Sequence, residues 1–252
     1  RSLAGGTNNA QYNALTVDTA GSVYAAGYQS GAGTYTYGTQ PATGTASGTN
    51  AVLVKYDSTG TVLWATTVST GAAASQFLGL ATDLSGNIFA VGFQTGTGTF
   101  TYGGQSITGG SSGTNITLVK YTSAGTVLAA TTLTAGTGNS QFNSVAVDLG
   151  GNIFAAGFQS GTGTYTFGST SATGTATTNN PILVKYNAAL SPQWVNTLAA
   201  GTTSAAFNAI TIDSANSIYT AGAQSGNGTY TFGSQSIAGP YTGNNITLVK
   251  YQ

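Results

Sequence analysis

The stretch DLSGNIFAVGF (83–93) reads as a β-hairpin cut at its turn. It carries an aspartate that can close an Asx-turn, a glycine suited to positive φ, and then alternating apolar residues of strand type. The same grammar returns as DTAGSVYAAGY (18–28), DLGGNIFAAGF (148–158) and DSANSIYTAGA (213–223). A second marker, LVKY, begins at Leu53, Leu118, Leu183 and Leu248, each 65 residues after the last. The same period aligns Tyr12 with Phe77, Phe142 and Phe207, and Tyr24 with Phe89, Phe154 and Tyr219. Of the tyrosines and phenylalanines, only Tyr241 lies outside a repeated aromatic column. A fixed period of this kind points to a repeat architecture.

Four segments of each unit have strand character. In the second unit they are LGLATD (78–83), NIFAVGFQ (87–94), ITLVKY (116–121) and TVLAATTL (126–133), and the last two are joined by TSAG (122–125). The longer connection TGTGTFTYGGQSITGGSSGTN (95–115) predicts a small hairpin of its own around Gly103 and Gly104. No helical periodicity exceeds a turn. Four antiparallel strands at constant repeat length predict an all-β fold: a β-propeller of four 65-residue repeats, each a four-stranded antiparallel blade. One domain would span 1–252, with units at about 1–65, 66–130, 131–195 and 196–252. The period exceeds the roughly 40–50 residues of WD40 or kelch units, and the long connection supplies the excess. A β-solenoid, the alternative, has shorter coils and fewer hairpins.

The stretches VDTAGSVYAAGYQSG, TDLSGNIFAVGFQTG, VDLGGNIFAAGFQSG and IDSANSIYTAGAQSG, each followed by LVKY, resemble the bacterial beta-propeller repeat family often called SBBP repeats. The resemblance covers essentially the whole chain. It implies an exported or surface-associated bacterial protein and supplies architecture more than chemistry. The departures are Asn216 in the column of Gly21, Gly86 and Gly151, Ser22 and Ser217 in that of Asn87 and Asn152, and Ala129 in that of Trp64 and Trp194. These bear on local packing.

Composition narrows the chemistry. Charged residues make up 4% of the chain, five basic against five acidic, and the net charge is zero. No basic stripe is available for phosphates, which argues against nucleic acid as a partner, and there is little self-repulsion to keep copies apart. No apolar run approaches the length of a spanning helix, and the strands are too polar on both faces for an obvious lipid-facing barrel, so no membrane insertion is expected. Cys, His and Met are all lacking. A thiolate metal site and a Ser-His-Asp triad are therefore excluded, and the expectation is a non-enzyme without metal or cofactor. A chain that begins at Arg1 and contains no Met is expected to have lost a leader or a longer upstream region.

Almost every charge belongs to the repeat. Asp18, Asp83, Asp148 and Asp213 form one column, read as hairpin closure in preference to a calcium ring. Lys55, Lys120, Lys185 and Lys250 form another, whose stems should lie along apolar surface with the ammonium exposed or paired to an aspartate. The long connection repeats a glutamine and two aromatics. These are Gln29, Tyr35 and Tyr37; Gln94, Phe100 and Tyr102; Gln159, Tyr165 and Phe167; and Gln224, Tyr230 and Phe232. Rings beside amides suit the C–H faces and hydroxyls of sugars, so these twelve are the candidate ligand-binding residues of a multivalent, lectin-like reading. The competing structural reading has the rings filling space between blades and the glutamines tying down the long loop. Asn115, Asn227 and Asn245 match a glycosylation pattern and are read as accidental.

The chain ends matter to closure. RSLAGG (1–6) aligns with 66–71, 131–136 and 196–201, and the last unit lacks the columns of STGTVLWA (58–65). The N-terminal segment is therefore expected to close the ring as the outer strand of the last blade, with Ser2 and Leu3 beside Ile246, Leu248 and Lys250. Arg1 to Ala4 would cover only the beginning of the final strand. Its second half then stays open as a pairing template, which predicts self-association through this terminal edge or a longer native chain. The expected role is an extracellular or cell-surface structural and adhesive module, with glycan binding as the alternative.

Overall fold

The computed structural model describes residues 4–71 and 73–252, and these contain strands and turns without a helix. The first unit holds β1 (Ala10–Val17), β2 (Val23–Ser30), β3 (Thr34–Tyr37), β4 (Gln40–Thr43), β5 (Thr49–Tyr56) and β6 (Val62–Thr67). The second repeats them as β7 (Ser75–Thr82), β8 (Ile88–Thr95), β9 (Thr99–Tyr102), β10 (Gln105–Thr108), β11 (Thr114–Tyr121) and β12 (Val127–Thr132). The third has β13 (Ser140–Val147), β14 (Ile153–Ser160), β15 (Thr164–Phe167), β16 (Thr170–Thr173), β17 (Asn179–Tyr186), β18 (Pro192–Asn196) and the short β19 (Leu198–Ala200). The fourth has β20 (Ala205–Ile212), β21 (Ile218–Ser225), β22 (Thr229–Phe232), β23 (Gln235–Ala238) and β24 (Asn244–Tyr251).

Three units form four-stranded antiparallel sheets, in the orders β1-β2-β5-β6, β7-β8-β11-β12 and β13-β14-β17-β18. The fourth sheet has three strands, β20-β21-β24. The long connection of each unit makes the expected small hairpin, and in the second unit it turns through Gly103 and Gly104, both at positive φ.

Each first strand carries a bulge at one position, between Tyr12 and Ala14, Phe77 and Gly79, Phe142 and Ser144, or Phe207 and Ala209. The bulge brings a carbonyl onto the facing strand, where Gly27, Gly92, Gly157 and Gly222 stand. A Cβ on Gly92 would overlap the carbonyl oxygen of Gln76, and the other three glycines meet the same obstacle.

The sheets pack face on face in chain order, with the first strands β1, β7, β13 and β20 successive neighbours. Small residues Ala14, Gly79, Ser144 and Ala209 line that approach, and Gly79 lies against the backbone of Ser144. One core lies between each pair of units. Between the second and third it holds Phe89, Val91, Ile116 and Leu118 from one side and Phe142, Val145, Tyr165 and Tyr186 from the other. The other two unit pairs are built alike. Each middle sheet thus has a leading face toward the unit before it and a trailing face toward the unit after it. The apolar column that includes Leu53, Leu118 and Leu183 belongs to the trailing face.

The expected closure of the ring is not found among the described residues. Ser2 and Leu3 lie outside the described residues. Ala4, read as reaching β24, instead donates its N–H to Thr36 O at 2.8 Å, and Gly5 bridges to Thr36. The same role falls to Ser69 and Thr70, which pair with Thr101 of the next hairpin, after β6 has ended at Thr67. Ala4 therefore belongs to the segment past an outer strand, already engaged with the following hairpin. The succession does not close: β1 packs on β7 and not on β20, and β24 has no outer partner among the described residues. Ile246, Leu248 and Lys250 are all exposed along this edge.

Candidate functional site

The twelve glutamine and aromatic positions occupy one place in each unit, and that place is interior. All four glutamines are buried, as are both rings of every small hairpin. Gln29 Nε2 donates to Ala42 O at 2.9 Å and Gln159 Nε2 to Ala172 O at 3.1 Å, so each ties its β2-type strand to the hairpin. Tyr37 donates to Gln29 Oε1 at 3.1 Å. Phe100 and Tyr102 join the core between the first and second units, Tyr165 and Phe167 the next, and Tyr230 and Phe232 the last. Tyr35 and Tyr37 of the first unit pack with Val52 and Val54. A sugar needs an accessible ring face, and none of these side chains presents one. Burial without a local counter-charge raises the phenol pKa of Tyr102 and Tyr186 far beyond the usual tyrosine range.

The aspartate column closes turns. Asp18 Oδ1 accepts N–H groups from Ala20 at 3.0 Å and Ser22 at 2.8 Å, and Asp83 and Asp213 repeat the pattern. Asp148 accepts the Asn152 N–H at 2.8 Å. The second oxygen explains two of the departures. Asn87 and Asn152 donate a side-chain amide to it, at 2.7 and 2.8 Å. Where serine stands instead, the donor is a tyrosine hydroxyl two residues on: Tyr24 to Asp18 at 2.9 Å and Tyr219 to Asp213 at 3.0 Å. Asparagine is thus paired with phenylalanine, and serine with tyrosine. Asn216 keeps the turn at φ 61° where the other units use glycine. Among the described residues, no three carboxylates gather as a metal cage would need.

The lysines run over rings. Lys55 Nζ lies 5.1 Å from the Tyr24 ring centre, and Lys120, Lys185 and Lys250 sit likewise over Phe89, Phe154 and Tyr219. Two of the ammonium groups also reach across units. Lys55 donates to Ser123 O at 3.0 Å and Lys120 to Ala188 O at 2.9 Å.

The Ala129 departure is compensated across the same boundary. Trp64 lies over Gly125 of the following unit, where an added Cβ would stand 3.1 Å from its ring. In the next pair alanine replaces the tryptophan and Leu190 replaces the glycine. Leu190 is buried at φ 59°, and Ala129 packs against the cluster it fills. A third exchange is polar. Ala51 N donates to Ser75 Oγ and Ile116 N to Ser140 Oγ, whereas the third pair has Pro181, without an N–H, facing the column of Ala205, without a hydroxyl.

A further column, Asn50, Asn115, Asn180 and Asn245, has a role that the sequence does not announce, although Asn115 and Asn245 also fall in the glycosylation pattern. Asn50 Oδ1 accepts the N–H groups of Thr45 and Ala46, and its Nδ2 donates to Gly31 O and Ala46 O, all within 3.0 Å. It clamps the end of the long connection, and Asn115, Asn180 and Asn245 repeat the clamp. The available signal was an asparagine repeated at the head of every LVKY strand.

Besides single leucines at outer strands and turns such as Leu63, Leu84, Leu128 and Leu149, the exposed large apolar side chains lie in the first and last units. Two grooves, of about 310 and 380 Å³, flank β24; Phe232, Ile237 and Val249 line one, and Pro240, Tyr241 and Ile246 the other. In the first three units an outer strand covers the corresponding edge.

No family model matches the chain, and no curated protein matches it. Among solved structures, it is similar to the crystal structure of a protein of unknown function from Bacteroides caccae. The match covers 95% of this chain and 60% of that one, at 12% identity and a TM-score of 0.42. The chain thus spans about 60% of that protein's length.

Proposed function

We propose that the chain is a non-catalytic β-propeller module of the SBBP-like repeat class it resembles, with its sheets set radially like blades. It serves as a structural and adhesive element outside the cell and associates with itself through the edge of β24. One observation carries this: the chemically capable columns are already occupied by scaffold work. The aspartates close turns, the lysines cover rings, with Lys55 and Lys120 also reaching carbonyls of the following unit, and the glutamines and aromatics lie inside. The succession of neighbouring first strands supports the radial reading. Among the described residues β24 has no outer partner, which supports self-association, since such an edge offers a row of N–H and C=O groups and Lys250 is the one charge along it.

Display of the chain on a bacterial surface tests the reading. Displaying cells should clump, and neither free monosaccharides nor a chelator should disperse them. Cells that stay separate would refute the adhesive role, and clumps dissolved by one sugar would restore the glycan alternative.

A further inference from the structure

We propose that two copies of this chain join head to tail, the trailing face of the fourth unit seating on the leading face of the first unit of a second copy. This rests on the self-association just proposed and gives it a surface and a direction. The two faces are the separated halves of an interface that the molecule already contains three times.

On the trailing side, Ile246 and Leu248 are 93% and 71% exposed, whereas Ile116, Leu118 and Leu183 in the same columns are fully buried. Ala221 is exposed where Ala26, Val91 and Ala156 are buried. On the leading side, Leu15 and Val17 are 67% and 56% exposed. In the column of Leu15, Leu80, Val145 and Ile210 pack into the cores between units, and in that of Val17 so do Val147 and Ile212, with Thr82 standing in the second unit. Tyr12 is partly open, whereas Phe77, Phe142 and Phe207 are buried. Each exposed face therefore has the shape and composition of one that is elsewhere covered by its complement, and the neutral chain adds no repulsion.

The polar contacts repeat as well. Asn13 Nδ2 donates to Phe77 O at 2.8 Å and Asn143 Nδ2 to Phe207 O at 2.7 Å, each onto the following unit. Asn208, exposed in the fourth unit, occupies that column and would find the carbonyl of Tyr12 in the second copy. Lys250 would find the exposed Ser58 carbonyl, as Lys55 finds Ser123 and Lys120 finds Ala188. One bond of the template is lost: Ala10 stands where Ser75 and Ser140 accept a backbone N–H, so Ile246 N gains no hydroxyl partner. Because the two surfaces differ, the contact is heterologous. It closes a ring if the turn per unit divides the circle and otherwise runs on as a filament.

Light scattering of the intact chain, with two single variants and their mixture, tests this. Leu15→Asp and Leu248→Asp alter side chains already exposed in the single copy, so both variants should fold. The wild type should grow in mass with concentration, each variant alone should stay monomeric, and an equimolar mixture should form a 1:1 dimer through the one intact pair of faces. Leu84→Asp, at an exposed turn position off both faces, should associate as the wild type does. If the wild type associates but Leu15→Asp associates equally well, the face pairing is overturned while association through the β24 edge stands. A wild type that stays monomeric at high concentration overturns both.

Discussion

Leu183 and Leu248 occupy the same repeat column, follow the same strand grammar and begin the same LVKY motif, yet one is fully buried and the other is 71% exposed. The difference is the neighbour. Leu183 has the fourth unit packed over it, and Leu248 has no unit packed over it among the described residues. In a repeat protein the burial of a side chain is set as much by the presence of the next unit as by its own sequence. Burying a leucine is worth about 2 kcal/mol, so an end face with several such residues carries a sizeable unspent driving force.

The largest test of this contrast is the same substitution at both places. Leu183→Asp puts a charge into a closed core and should cost more than about 4 kcal/mol, enough to prevent folding. Leu248→Asp should change chemical stability by less than about 0.5 kcal/mol while abolishing association. Equal losses of stability would mean that the fourth unit's outer face is covered within the single chain.

A second test exchanges residues between interior boundaries. Ala129→Trp crowds Leu190, and Leu190→Gly leaves a void, each costing about 1–3 kcal/mol. The double variant recreates the Trp64–Gly125 arrangement and should recover most of that loss. Additive losses in denaturant melts would show that the two positions are not partners.

Within a unit the contrast should vanish, because the turn aspartates need no neighbouring unit. Asn87→Ser removes one donor to Asp83 and should cost about 1 kcal/mol. Adding Phe89→Tyr supplies the hydroxyl that serves Asp18 and Asp213, and should return it. No recovery in the double variant would break the pairing of serine with tyrosine.

The smallest effect is acid sensitivity. The Ser217 backbone N–H, helped by the Tyr219 hydroxyl, holds Asp213 below the ordinary carboxylate range, and the Thr59 hydroxyl does so for Asp57. A depressed folded-state pKa gives stability that is present above the unfolded value of about 4 and lost as pH falls through the folded one. With no histidine, the stability curve should be flat from about pH 5 to 9 and drop only below about pH 4. A transition near neutrality would contradict this.

Much of the architecture was legible in the sequence because the 65-residue period repeats every strand and turn four times. The Gly103–Gly104 hairpin, the aspartate turns and the lysine stems over apolar surface all lie where turn chemistry and alternation put them. Less legible was which face of a sheet meets which neighbour, since both faces of a middle sheet are apolar and alternation is symmetric. The candidate ligand columns were ambiguous for a related reason. Rings beside amides look alike whether they line a sugar site or fill the space between sheets, and only burial separates the two for Tyr35 and Gln29. Closure failed at Ala4 because its column falls just past β6, where the chain has already crossed to the next hairpin. The departures at Ala129, Ser22 and Ser217 read only as matters of local packing because each compensating residue lies in another column, Leu190 in the following unit and Tyr24 and Tyr219 two residues on.

Hydrogen exchange at two protein concentrations tests the central claim most directly. If the end faces are the two halves of the interior interface, amides of β24 and β1 should exchange fast in dilute solution and gain protection together as concentration rises, with β14 and β17 protected throughout. Exchange in β24 and β1 that is independent of concentration, or protection gained by one without the other, would contradict the account.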